Sequence, residues 1–186
     1  GANLRGVKLD NANLTDANLA GVNFTLLSCW SGANMTRANF VGATLSLQMM
    51  NLVLREANLS GVDLTIVNFT GSDLSGANLT NSRLRLGKFV NANLSNVDFT
   101  VARFERGGMF PAFTGADLTG ANLSGLNLST SSSDGLLSEY LDLSGANLTN
   151  AKLINTRLLG VSLRNANLTN TDMSGAMIAD GDTRLY

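Results

Sequence analysis

Over long stretches of this 186-residue chain every fifth residue is Leu or Phe, a period that fits neither a helix nor a plain strand. Residues 56–80 read EANLS GVDLT IVNFT GSDLS GANLT. Most blocks carry a small residue second, Asn or Asp third, Leu or Phe fourth and Ser or Thr fifth. With the fourth position taken as the centre, centres run Leu4, Leu9, Leu14, Leu19, Phe24, then Met35, Phe40 and Leu45. An unbroken register follows from Leu54 to Phe104, then Phe113, Leu118, Leu123 and Leu128, and finally Leu143 through Ile178.

The small residue and the centre lie two apart, so on extended backbone both point to one side while the Asn or Asp between them points to the other. The remaining two positions are polar or Gly and suit a bend. Each block therefore reads as one short inward-facing edge plus one corner. Four bends of about 90° close a square, so a coil takes about 20 residues and coils stack along a rod. A narrow interior explains why a bulky centre alternates with a small neighbour. Asn18, Asn58 and Asn78 sit beside the bends, where their side chains can satisfy local backbone groups. Leu, Asn, Ala, Ser and Thr dominate and helix-forming stretches are missing, which argues against helices.

These residues resemble the pentapeptide repeat family, whose motif is A(D/N)LXX, over nearly all of residues 1–178. The resemblance implies an all-β fold, a right-handed quadrilateral parallel β-helix, here of about nine coils and close to 40 Å long at ~4.8 Å per layer. Residues 1–178 form the solenoid in this reading, with a loop excursion at 129–140 and a tail or cap at 179–186. Leu185 and Tyr186 would be the lid. The opening Gly1, in place of Met, reads as a processed or excised chain.

Function on a repeat scaffold is sought where the repeat departs from its rule. Phe24 to Met35 is one residue too long, and Leu45 to Leu54 and Phe104 to Phe113 are each one short. Threading four faces from Leu4 places Trp30, Met50 and Met109 on the second face, with both shortenings at the corner leaving it and Phe110 at an outward corner. Trp30, Met50, Met109 and Phe110 are thus a candidate protein-binding patch. Packing in irregular coils is the competing account. Arg83, Lys88 and Arg103 replace Asn/Asp at outward positions, with Arg85 and Arg106 nearby, and these five are a candidate anion contact. Asp63 and Glu105 are expected to neutralise much of that field.

Histidine is absent and Cys29 is the one cysteine, so imidazole catalysis, an internal disulfide and a multi-thiolate zinc site are excluded. No catalytic, cofactor or metal site is expected, and the chain does not read as an enzyme. No apolar run is long enough for a membrane helix. A net charge of −1 gives no large field, and direct nucleic-acid binding is not expected.

The leading functional reading is a structural or protein-interaction scaffold whose partner the sequence does not name. An open solenoid end could also pair two copies as a homodimer. The family resemblance supplies an alternative, since some members mimic duplex DNA, bind type II topoisomerases and protect them from quinolones. That role wants a strongly negative rod, and here nearly equal basic residues offset the acids. Ice or carbohydrate binding through Thr65, Thr70, Ser75 and Thr80 is disfavoured because they fall on successive faces. The many Asn-Leu-Ser/Thr triplets favour a bacterial origin. The family abounds in cyanobacteria, and bacterial cytoplasm is slightly favoured over periplasm or thylakoid lumen.

Overall fold

One five-residue unit closes its own corner and hangs on its neighbours by three backbone hydrogen bonds. At Leu59 the centre carbonyl accepts the Val62 N–H at 3.1 Å, and Gly61 between them stands at φ 69°. A three-residue closure with positive φ at its second inner position is the arrangement of a type II turn. The Leu59 N–H donates to Asn78 O at 3.0 Å, the Gly61 N–H to Thr80 O at 2.8 Å, and the Asn78 N–H back to Ala57 O at 2.9 Å. No unit can pair within itself, so each coil depends on those above and below it.

The computed structural model describes residues 7–25, 29–104, 111–129 and 141–178. Parallel bridges join each outward residue to its counterpart one coil on, as in Asn13–Asn34–Val53–Asp73–Asn93–Asp117–Asn147–Asn167. That column marks eight coils among the described residues. The four faces of the square are numbered here by their centres. The first carries Leu9, Trp30, Met49, Phe69, Phe89, Phe113, Leu143 and Leu163; the second begins at Leu14, the third at Leu19 and the fourth at Phe24.

From the first face to the second, third and fourth, the described centres always advance by five. From the fourth face back to the first they do not. Phe24 to Trp30 is six residues, Leu45 to Met49 four, Phe104 to Phe113 nine and Leu128 to Leu143 fifteen. All four irregular steps therefore lie on one edge of the rod, the fourth-to-first edge.

Trp30 lies on the Leu9 face, where the threading from Leu4 put it; it is a centre, with the extra residue in the corner before it. The geometry corrects the threading at the two shortened steps. The short coil turns on Met49, not Met50, and it shortens the corner entering that face, not the one leaving it. Phe113 stacks directly below Phe89 on the first face, so the step from Phe104 to Phe113 joins two successive faces. Ala112 in turn bridges Asp142 directly, thirty residues on. The two long steps therefore add no rung to the described wall.

Ala, Val and Ser alternate with Leu and Phe along the interior, and the centres of the middle coils are fully buried. Phe89 lies between Phe69 and Phe113, with ring centroids at 5.4 and 5.1 Å and planes within 14° and 13° of parallel. Phe99 meets Phe113 edge-on at 5.8 Å. Where the short coil turns, the hydroxyl of buried Ser72, from the next coil, takes over the corner bond. It donates to Met49 O at 2.7 Å and accepts the Leu52 N–H at 3.1 Å. No buried side-chain polar atom among the described residues lacks a partner.

Two stability changes follow. Phe89→Ala should cost about 3–5 kcal/mol, because the rings above and below cannot close on the hole. Ser72→Ala should cost about 1–3 kcal/mol by orphaning a buried N–H and C=O together. Urea melts followed by circular dichroism and by the fluorescence of the single tryptophan measure both.

Candidate functional site

The outward asparagines are occupied by the fold. Asn18 Oδ1 accepts the Ala20 N–H at 3.2 Å, Asn58 Oδ1 the Ser60 N–H at 3.2 Å, and Asn78 Oδ1 the Thr80 N–H at 3.0 Å. Their amides run up the third face as a ladder, with Asn39 donating to Asn18 at 3.5 Å, Asn58 to Asn39 at 3.4 Å and Asn78 to Asn58 at 3.3 Å. Each side chain braces a turn and the coil beside it.

The two described members of the candidate patch are not brought together. Trp30 is only 5% exposed, its ring 5.5 Å from that of Phe24, and its Nε1 donates to Gln48 O at 3.0 Å. That carbonyl stands where Cys29 O and Asn68 O accept a backbone N–H on other rungs, so the indole completes the wall at the irregular coils. Trp30 offers no surface to a partner. Met50 is 40% exposed but lies at the corner leaving the first face, away from the irregular edge. Met109 and Phe110 lie outside the described residues.

The basic residues are brought together more closely. Arg83 and Arg103 occupy adjacent rungs of the fourth face, Arg85 sits at the corner after Arg83, and Lys88 follows on the first face. Arg83 Nη1 lies 3.8 Å from Asp63 Oδ2, a long and exposed contact. Arg106 lies outside the described residues, as does Glu105.

Sequence reasoning missed an apolar ridge on this same edge. The second residue after a centre occupies the corner, left-handed at the described units other than those of Leu45 and Phe99, and on the first-to-second edge every described occupant is Asn or Gly. On the fourth-to-first edge the corresponding residues of three consecutive coils are Leu47, Ile66 and Leu86. Ile66 stands at φ 57° and Leu86 at φ 53°. Left-handed backbone at a β-branched or bulky residue costs roughly 1–3 kcal/mol. The side chains do not recover this by burial, since Leu47 is 52% and Ile66 47% exposed, with Leu86 half-buried. The signal was readable: three large aliphatics stand in consecutive coils of one corner column, whereas the first-to-second corners take Asn and Gly.

Ion pairs elsewhere tie coil to coil. Arg37 forks onto Asp16 with Nε–Oδ1 2.7 Å and Nη2–Oδ2 2.8 Å, and this hydrogen bonding holds the Asp16 carboxyl below its ordinary value. Burial pushes the Asp73 carboxyl up, but Arg55 and Ser75 donate to it and leave it lowered. Asp142 is likewise raised by burial and lowered further by Ser144 and Thr114. At Asp63 the Thr65 side chain lowers the pKa, and at Asp172 the Ser174 hydroxyl and N–H do so. Among the described residues no His, Cys, Asp or Glu cluster could hold a metal ion, and no helix is long and apolar enough to cross a membrane.

A filled square of stacked five-residue units defines a quadrilateral β-solenoid. The chain belongs to the pentapeptide repeat family, whose profile matches eight copies over residues 1–25, 48–85, 112–132 and 142–176 and whose members form right-handed quadrilateral β-helices. A trypsin-treated point variant of QnrB1, a plasmid-mediated fluoroquinolone resistance protein, is 18% identical over 90% of this chain and 89% of its own, with a TM-score of 0.46. A pentapeptide repeat protein of the Arabidopsis thaliana thylakoid lumen is 27% identical over 70% and 64%, with a TM-score of 0.33. HetL, involved in heterocyst differentiation regulation in the cyanobacterium Nostoc sp. strain PCC 7120, is 24% identical over 94% and 88%, with a TM-score of 0.28. No curated protein matches the chain.

The lowered carboxyls bind fewer protons folded than unfolded, so they stabilise the fold above the unfolded value of about 3.9 and lose that contribution as pH falls through the folded values. Thermal midpoints should be flat from about pH 7 to 5 and fall below about pH 4. A midpoint that rises on acidification would contradict the assignment.

Proposed function

We propose that this protein is a non-catalytic scaffold that presents its outer wall to another protein, with the fourth-to-first edge as its working side. One observation carries the reading: the interior is filled and three edges keep a strict five-residue step, while every irregular step falls on the remaining edge. A packing accident would scatter insertions over four corners, whereas a surface under separate demand gathers them on one.

The alternative, a DNA-mimic directed at gyrase or another topoisomerase, needs an acidic rod. The described fourth face instead sets Arg83 and Arg103 on consecutive rungs. A DNA gyrase supercoiling assay should therefore show neither inhibition nor protection by the full chain.

Photo-crosslinking in the native host tests the scaffold reading, with p-benzoylphenylalanine placed at Leu47 on the irregular edge or at Glu56 on the opposite edge. Discrete protein adducts are expected from position 47 and few from 56. Adducts from neither position would sink the reading, and adducts from 56 alone would move the working side.

A further inference from the structure

We draw no further inference here: the strongest candidate, the aliphatic corner column of Leu47, Ile66 and Leu86 on the fourth-to-first edge, carries nothing because nothing in the structure shows what covers it.

Discussion

The corner two residues past each centre, left-handed at the described units other than those of Leu45 and Phe99, is the constraint on which the rest of this structure depends. It turns the chain by a right angle in two residues, so that two inward side chains per unit meet those of the other three faces. It also aims an N–H at a carbonyl of the next coil, as Gly61 does toward Thr80. Substituents at that corner are felt by the coil above. A Cβ built on Gly120 (φ 66°) would stand 2.6 Å from Asn96 Oδ1, so a side chain there would have to displace the Asn96 amide. Corner chemistry is thus specified coil by coil, with little reference to anything distant along the rod.

The fourth-to-first edge relaxes that rule. Steps of four, six, nine and fifteen residues are accommodated there because the three regular edges already fix each coil on its neighbours. The wall repairs itself locally: the Trp30 indole reaches Gln48 O, and the Ser72 hydroxyl bridges the Met49 corner. The same edge carries Leu47, Ile66 and Leu86 at its corners, with Arg83, Lys88 and Arg103 at outward positions beside them. Irregular steps and aliphatic corners converge on one side of an otherwise repetitive rod. That convergence is what a scaffold with a single working side would show.

The repeat, the alternation of inward residues and the turn-bracing asparagines were legible in the sequence because each is a local consequence of the five-residue period. The register across irregular steps was not. Counting in fives put Trp30 on its face, but an eleven-residue gap does not say which corner holds the extra residue. Met49 and Met50 are chemically alike, and only the Ser72 bridge from the next coil shows which one turns inward. Met109 fell on the count after Phe104, which concealed that Phe113 belongs under Phe89. Closure of the square decides these cases, and closure is a three-dimensional condition. The column of Leu47, Ile66 and Leu86 was hidden for a related reason, because corner residues align from coil to coil only once the register across the irregular steps is fixed.

The most direct measurement is disulfide trapping across the longest irregular step. Thr119 and Thr149 are thirty residues apart, yet the Gly120 N–H donates to Thr149 O at 2.9 Å, and Asn147 Nδ2 reaches Thr119 Oγ1 at 2.9 Å. They are stacked neighbours on the second-to-third edge. With Cys29→Ser as background, Thr119→Cys and Thr149→Cys should form an intramolecular disulfide readily under mild oxidation without loss of fold, since adjacent coils lie ~4.8 Å apart and a disulfide spans Cα separations of roughly 4.4–6.8 Å. Failure of this pair to close in the folded protein would contradict the claim that every departure from the five-residue step falls on a single edge.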